Sequence, residues 1–289
     1  MEIIEVKGHS GCEIDVKRED KSLFVYKTTR DPGYFNRLVR QGKKQEQASH
    51  IELQHIRIPK IHEITRNERE VRLKMDYVYS RNFVEFFEQA GFEQVAYLIE
   101  ALIMYLEYEI SGSKNETVES LIVKDKFNDV KKKTLSNRYL AGDIEIAEIM
   151  ERSEAIFNKL EDMEMPVGVC HGDLTFSNIL FNGNNYYLID FLDSFIESPL
   201  LDIVKLRQDT AWLWSQLMYT KPCDTIRLHI AFKKIDDEIN AYFHEHYDWY
   251  RKLYNPLQLM NFLRILQYAH EPKVIDYLKH SINEQLEEF

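Results

Sequence analysis

The stretch that decides the fold reads His171-Gly172-Asp173-Leu174-Thr175-Phe176-Ser177-Asn178 and continues at Ile189-Asp190-Phe191. Between its two parts lie two short apolar runs joined by Asn182-Gly183-Asn184-Asn185, and Asn and Gly tolerate the positive φ of a tight turn. The pattern predicts a β-hairpin. Because a hairpin returns the end of its second strand to the start of its first, we expect Asn178 and Asp190 to face one point, with Asp173 over it.

The residue types in this stretch favour phosphoryl transfer. Carboxylate and amide oxygens are ligands that Mg²⁺ accepts beside the phosphates of a nucleotide. A further carboxylate can orient an attacking hydroxyl and accept its proton. Asp173, Asn178 and Asp190 together predict such a site.

Composition excludes several classes of protein. The 289 residues are 44% hydrophobic and 29% charged, a globular balance that excludes a disordered chain. A net charge of −11 disfavours general nucleic-acid binding. Three scattered cysteines exclude a disulfide framework or a zinc knuckle. The first residues lack a signal-peptide pattern and no apolar run could cross a bilayer, so a cytoplasmic location without a membrane partner is expected.

The net charge and the type of predicted secondary structure both change near Ser80. Residues 1–80 carry a net charge of +3 and the remainder −14. We predict two lobes, 1–80 and 81–289, with a hinge near residues 75–80. The fold class expected is α+β, with a small N-terminal antiparallel β lobe and a larger, mostly helical C-terminal lobe.

Periodicity predicts the main elements of each lobe. Short apolar runs predict strands in the first lobe, and three- and four-residue apolar steps predict helices in the second. The predicted strands are 2–6, 12–16, 23–27, 56–64, 71–79, 167–170, 178–181 and 186–189, and the predicted helices include 37–51, 92–106 and 146–160. The last three strands are expected to be the only β structure of the C-terminal lobe.

The run HGDLTFSN followed by IDF resembles the aminoglycoside phosphotransferase and choline kinase family, which has the protein-kinase-like fold. The spacing of Asp173 to Asn178 matches the kinase catalytic loop, with Gly172 where protein kinases usually carry Arg. The resemblance implies that Asp173 is the catalytic base, that Asn178 and Asp190 bind the metal, and that His171 braces the loop.

The same resemblance assigns two acidic residues downstream. Asp193 would accept a hydrogen bond from the substrate or support the metal. Asp202 would brace the catalytic loop by hydrogen bonding to its backbone. Ser198 stands where the family commonly has Asp.

The family also needs a cation in the N-terminal lobe for the nucleotide phosphates. Lys27 ends a predicted strand at the place of the kinase β3 lysine. Val25 shares the strand face of Lys27, because side chains alternate, and would cover the adenine. Glu46, in the predicted helix, is the expected partner of Lys27, with Glu52 as the second choice.

Two further backbone features belong to the expected nucleotide site. Gly8 and Gly11 lie between the first two strands, where a kinase keeps its phosphate-covering loop, although the full glycine pattern is missing. Backbone groups of Asp76 and Val78, at the expected hinge, would read the edge of the adenine. An ordinary turn and an ordinary strand end are the respective alternatives.

Three other functions compete with a small-molecule kinase. A metal-dependent phosphohydrolase could use His171, Asp173 and Asp190 as ligands, but it leaves the N-terminal lobe without a task. A nucleotide-binding regulatory pseudokinase should lack one catalytic group, and none is missing. A protein kinase needs a peptide-docking segment, and only eleven residues separate Asp190 from Asp202.

The reaction expected is transfer of the γ-phosphate of ATP or GTP, with Mg²⁺, to a hydroxyl of a small polar molecule. The acidic second lobe suits a cationic acceptor, such as an aminoglycoside or choline, although a solvated acidic surface explains the same charges. A neutral sugar also remains open. Aromatic residues beyond position 210 could form a wall for such an acceptor or belong to the core. The sequence does not decide the acceptor, the nucleotide base or the oligomeric state.

Overall fold

The computed structural model describes residues 6, 7 and 11–289, and within them the chain forms ten strands and ten helices. The strands are β1 Val6–Lys7, β2 Glu13–Glu19, β3 Ser22–Thr29, β4 Ile56–Arg57, β5 Ile61–Arg66, β6 Val71–Asp76, β7 Lys114–Val118, β8 Met163–Val167, β9 Ile179–Asn182 and β10 Asn185–Leu188. The helices are α1 Phe35–Ala48, α2 Phe83–Phe87, α3 Phe92–Gly112, α4 Ser120–Ser136, α5 Ile144–Asn158, α6 Pro199–Thr210, α7 Trp214–Leu217, α8 Thr225–His246, α9 Asp248–Leu266 and α10 Pro272–Leu286.

The strands form three sheets. An antiparallel five-stranded sheet has the order β1-β2-β3-β6-β5, and β3 pairs along its length with β2 and β6. A second sheet has the order β4-β10-β9, and β7 pairs with β8 in a third. The predicted fold class is confirmed, with an antiparallel sheet in the N-terminal part and a larger helical part.

The chain divides into two compact units. The first comprises residues 1–108, 171–194 and 223–231, and the second comprises 109–170, 195–222 and 232–289. The catalytic motif therefore belongs to the same unit as the five-stranded sheet. The predicted lobe boundary near residue 80 falls inside the first unit and stays a prediction.

Helix α1 covers one face of the five-stranded sheet in the first unit. Its buried residues share a core with the inward side chains of β6, a cluster formed by Cys12, Phe35, Leu38, Ile61, Val71, Leu73 and Met75. The approach is close, because a Cβ on Gly42 of α1 would lie 2.7 Å from a methyl carbon of Leu73. This packing fixes which side chains of α1 point away from the sheet.

Helices α6, α9 and α10 pack together in the second unit. Helix α6 is buried along nearly its whole length, and its N-cap is Ser198, whose hydroxyl accepts a hydrogen bond from the Leu200 amide at 3.2 Å. A serine cap followed by proline is a favourable helix start, which accounts for Ser198 where the related pattern has Asp. Asp143 likewise caps α5, because its side chain accepts a hydrogen bond from the Ile146 amide.

Several predicted elements differ from the structure. The predicted strand 56–64 is two strands, β4 and β5, separated around Pro59, which cannot donate to a ladder. The strand predicted at 167–170 is displaced to Met163–Val167, and its partner β7 was not predicted. Strand β7 lies directly after α3 and is mostly exposed, so it carries little hydrophobic alternation.

No helix in the described part of the chain is both long and apolar enough to cross a membrane.

Candidate active site

The hairpin β9–β10 brings the two predicted metal ligands to one end. Leu188 pairs with Ile179 at the last register position, and the amide of Ile189 donates to the carbonyl oxygen of Asn178 at 3.0 Å. Gly183 adopts a φ of 58° in the turn, a left-handed conformation that glycine tolerates in tight hairpin turns. Asn178 and Asp190 therefore flank the same end of the hairpin, as their spacing predicts.

Asn178 is held to Asp173 through its side-chain amide. Its Nδ2 donates to the carbonyl oxygen of Asp173 at 2.8 Å and to Oδ2 of the same residue at 2.9 Å. A short 3₁₀ turn, Phe176–Asn178, lies between the two residues and closes the loop. Both bonds use the donor end of the amide, so the side-chain oxygen of Asn178 stays available for another ligand.

His171 ties the catalytic loop to the hairpin from a fully buried position. Its Nδ1 accepts a hydrogen bond from the Asp173 amide at 3.2 Å, so Nε2 carries the proton and donates to the Ile189 carbonyl at 2.8 Å. The ring also packs on Phe191, with centroids 4.2 Å apart. Burial lowers the pKa of His171 from 6.5 to about 4, so the ring is neutral near pH 7.

Gly172 allows the two parts of the motif to touch. It has a φ of +89°, and a Cβ on it would lie 2.0 Å from the carbonyl oxygen of Leu192. The amide of Leu192 in turn donates to the His171 carbonyl at 2.9 Å. A side chain at position 172 would separate the segments that hold Asp173 and Asp190, which explains glycine where protein kinases usually have Arg.

Lys27 contacts Asp190 directly. Its Nζ lies 2.8 Å from Oδ1 of Asp190, and its side chain is 4% exposed against 34% for that of Asp190. Asp190 has a φ of 62°, a left-handed conformation that is unfavourable for a residue with a side chain, though less so for Asp than for most. Such backbone strain occurs often at functional sites. The lysine and the aspartate, which are 163 positions apart in sequence, form one charged centre.

The structure does not contain the predicted pair of Lys27 with Glu46. Among the described residues, Lys27 pairs with Asp190, whereas Glu46 is exposed on α1. The face of α1 that packs on the sheet carries two buried glutamines, Gln41 and Gln45, and no acid. Gln45 donates to the carbonyl oxygen of Pro59 at 3.1 Å.

Helix α1 contributes two cations to the site that sequence reasoning missed. Nζ of Lys44 donates to the carbonyl oxygen of Leu192 at 2.6 Å, and Nε of Arg40 lies 2.6 Å from Oδ2 of Asp193. Asp193, predicted to contact the substrate or the metal, is therefore paired with Arg40. Residues 40 and 44 are about one helical turn apart and so lie on the same face of α1. This spacing was the sequence pattern that could have indicated a pair of cations.

The remaining predicted nucleotide-site residues lie in or near the same sheet. Val25 is partly buried beside the core on β3, two residues before Lys27. The amide of Asp76 donates to the Lys60 carbonyl at 3.0 Å, so only its carbonyl and the backbone of Val78 could read an adenine edge. The carboxylate of Asp76 contacts Nε2 of His62 at 2.6 Å.

The roles of three further predicted residues, Gly8, Gly11 and Asp202, stay predictions. Gly11 is exposed, with a φ of 70°, and a Cβ on it would meet no atom of the described residues within 4 Å. Gly8 lies outside the described residues. Asp202 is fully buried in the first turn of α6, and its bracing role stays a prediction.

The donor set fits a divalent cation. Among the described residues, the side-chain oxygen of Asn178 and Oδ2 of Asp190 have no hydrogen-bond partner, and both lie at the same end of the hairpin. Mg²⁺ takes one or two protein oxygens and completes its shell with phosphate oxygens and water. This chain would supply those two oxygens.

Comparison with known proteins gives a family match across the motif. Residues 127–226 match the APH family, described as "Phosphotransferase enzyme family". This segment contains Asp173, Asn178, Asp190 and Asp202. No curated protein matches the sequence at a significant level.

Solved structures resemble the whole chain. An amicoumacin kinase, hAmiN, in complex with AMP-PNP, Ca2+ and Ami has a TM-score of 0.61 and 11% identity, over 99% of this chain and 88% of that chain. The GDP and kanamycin complex of APH(2")-IIia has a TM-score of 0.58 and 13% identity, over 98% of this chain and 92% of that chain. Aminoglycoside-3'-phosphotransferase of type VIII has a TM-score of 0.51 and 13% identity, over 98% and 93%.

These findings support an enzyme, a phosphotransferase for small molecules. The resemblance predicted from the sequence is confirmed: the segment with both motifs matches the phosphotransferase enzyme family, and the chain has the protein-kinase-like fold of aminoglycoside and amicoumacin kinases.

Proposed function

We propose that this protein transfers the γ-phosphate of ATP or GTP, with Mg²⁺, to a hydroxyl of a small polar molecule that is aminoglycoside-, choline- or sugar-like. The contact of Lys27 with Asp190 at 2.8 Å carries the proposal, because it joins the expected phosphate-binding cation to the expected metal ligand. Both belong to the unit that also holds Asp173.

The residues have separate tasks in this mechanism. Lys27 neutralises phosphate charge, and Asn178 and Asp190 would hold Mg²⁺, which when bound offsets the charge of the phosphates. Asp173 orients the acceptor hydroxyl and takes its proton at a carboxylate oxygen. Asn178 fixes that carboxylate by donating to Oδ2 at 2.9 Å. The catalytic effect is then mostly positioning and charge neutralisation.

The supporting residues keep this arrangement rigid. Neutral His171 connects the Asp173 amide with the Ile189 carbonyl. Lys44 fixes the carbonyl of Leu192, two residues after Asp190. Residues 1–80 would form the nucleotide-binding lobe, with a hinge near 75–80, and 81–289 the catalytic and acceptor-binding lobe. A cytoplasmic location, where nucleotide triphosphate is abundant, belongs to the same proposal.

A nucleotide-consumption screen tests the function. ATP and GTP are each offered with Mg²⁺ and with kanamycin, spectinomycin, choline, ethanolamine or simple sugars, and the phosphorylated acceptor is identified by mass. We expect consumption that depends on one class of acceptor. Hydrolysis independent of any acceptor would favour the nucleotide-binding regulatory class, and phosphate release from monoesters without nucleotide would favour a phosphohydrolase.

Two variants test the assigned roles. Asp173→Ala should abolish turnover while nucleotide still binds, because Asp173 acts on the acceptor. Asp190→Ala should abolish turnover and also weaken binding of the Mg²⁺–nucleotide complex. Equal loss of nucleotide binding in both variants, measured by calorimetry, would contradict the roles.

A further inference from the structure

Helix α1 presents cations, and no acid, to the segment that follows β10. The one acid of the helix, Glu46, is exposed. On two successive turns, Arg40 pairs with Asp193 and Lys44 donates to the carbonyl oxygen of Leu192, each at 2.6 Å. All of these residues belong to the first compact unit, which also holds the catalytic motif. The helix therefore meets the motif through positive charge.

The ammonium group of Lys44 lies beside the one position of the catalytic loop that cannot carry a side chain. A Cβ on Gly172 would lie 3.3 Å from Nζ of Lys44 and 2.0 Å from the carbonyl oxygen of Leu192. The second distance excludes any side chain at Gly172, where protein kinases usually have Arg. Helix α1 thus brings a cation to the point at which the loop itself cannot carry one.

Lys44 contacts both parts of the motif from this place. Its bond to the Leu192 carbonyl holds the chain two residues after Asp190. The amide of Leu192 donates to the His171 carbonyl at 2.9 Å, so the same residue is also tied to the catalytic loop, two positions before Asp173. A carbonyl oxygen has no formal charge, so this bond orients the ammonium group without neutralising it.

The charge of Lys44 acts on the buried histidine of the loop. Burial is the main cause that lowers the pKa of His171 to about 4. The charges of Asp173 and Asp190 raise this pKa, and the charge of Lys44 lowers it. Lys44 therefore opposes the two motif acids at the centre of the loop, and its removal would change the electrostatics of the loop as well as its contacts.

We propose that Lys44 is a positioning residue of the phosphoryl-transfer site, which supplies from α1 the cation that the catalytic loop cannot carry at Gly172. Through Leu192 it keeps the metal-binding carboxylate of Asp190 in place relative to the proton-accepting carboxylate of Asp173. The inference rests on the proposed function, because it gives Lys44 a task in that reaction. Helix α1 then acts on the site through a cation, although its sheet-packed face has no acid.

A split between turnover and nucleotide binding tests the positioning role. With the acceptor found by the nucleotide-consumption screen, Lys44→Met should lower kcat by about tenfold or more, because misplaced reacting groups slow the chemical step. The dissociation constant of the Mg²⁺–nucleotide complex, measured by calorimetry, should stay within about threefold, since Lys27 and Asp190 both remain. Lys44→Arg, which keeps a charged donor, should recover part of kcat. The matched control is Lys43→Met, at the exposed neighbouring position.

Two kinetic outcomes would overturn the inference. The first is a kcat of Lys44→Met that equals that of wild type. The second is a loss of nucleotide affinity as large as the loss of kcat, which would make Lys44 a phosphate-binding residue. If wild type transfers phosphate to no acceptor, the proposed function itself fails, and a test without turnover is then needed to judge the placement of the charge.

NMR titration of His171 in the full chain without nucleotide supplies that test. Lys44→Gln keeps a donor for the Leu192 carbonyl and removes the charge. It should raise the pKa of His171, because a nearby positive charge no longer opposes protonation of the ring. Lys44→Arg and Lys43→Met should leave this pKa as in wild type. An unchanged pKa in Lys44→Gln, with a melting temperature that shows a folded protein, would refute the claim that Lys44 supplies the cation of the loop.

Discussion

At the scale of single residues, the site depends on charges whose partners lie far away in sequence. Lys27 is buried on β3, and its charge is compensated by Asp190 at 2.8 Å. A nucleotide phosphate would compete for the same ammonium group. The pair therefore holds the ammonium group of Lys27 in position before nucleotide binds.

Lys27→Met should reduce kcat/KM by about 10²–10³-fold, because removal of one preorganised donor from a reacting charge costs on that scale. The loss should appear in nucleotide affinity as well as in turnover. Lys21→Met, in the exposed turn between β2 and β3, is the matched control and should behave as wild type. A kcat/KM within threefold of wild type would contradict phosphate binding by Lys27.

His171 should make stability depend on pH. Burial lowers its pKa from 6.5 to about 4, so the unfolded chain binds a proton in this range that the folded chain does not. The neutral ring's contribution is complete above about pH 6.5 and is lost as pH falls toward 4, on the order of 3 kcal/mol in all.

Urea unfolding between pH 4 and 7 measures this dependence. His171→Gln should remove that part of the slope, whereas His50→Gln, at an exposed position, should keep it. An identical slope in wild type and His171→Gln would mean that another group titrates.

At the scale of elements, the active site depends on a close contact between two loops. The loop at Gly172 and the segment after β10 touch through the carbonyl oxygen of Leu192, and Lys44 of α1 donates to the same oxygen. The helix, the catalytic loop and the hairpin are thus joined at one atom. Displacement of that atom would move Asp173 and Asp190 together.

Gly172→Ala should lower both stability and activity, because its Cβ would lie 2.0 Å from that oxygen. Gly183→Ala is the control that measures backbone strain without a clash. Gly183 also has a positive φ, 58°, but a Cβ on it would meet no atom of the described residues within 4 Å. We expect the control to lose about 1–2 kcal/mol, the cost of a left-handed conformation, and Gly172→Ala to lose more. Equal losses in urea unfolding would show that the contact with Leu192 does not constrain the loop.

At the scale of the whole molecule, the two compact units predict that stability responds to ligands unit by unit. The residues assigned to nucleotide and metal all belong to the first unit. A ligand stabilises the part of the chain that must be folded to bind it.

Mg²⁺ with ATP or GTP should therefore raise the melting temperature, by the equivalent of about 2.7 kcal/mol at a nucleotide concentration 100 times the dissociation constant. EDTA should remove most of the shift, and Asp190→Ala should abolish it. Differential scanning calorimetry would measure both effects. A shift that is the same with and without Mg²⁺ would oppose a metal role for Asn178 and Asp190.

The amount that could be predicted differs from element to element. The hairpin β9–β10 was predictable because its turn residues and alternation are local, and so were α5 with its Asp143 cap and the β2–β3 hairpin. Strand β7 was missed because an exposed strand carries no alternating pattern. The pair of Lys27 with Glu46 was wrong because the rotation of α1 is set by its packing on β6, which leaves Glu46 exposed.

The sequence by itself determined the catalytic motif and its hairpin, since the spacing of Asp173, Asn178 and Asp190 acts through neighbours along the chain. Tertiary structure alone decided that Lys27 contacts Asp190 and that Lys44 donates to the carbonyl oxygen of Leu192. These contacts join residues far apart in the chain, so they follow from how helices and sheets pack and not from local spacing.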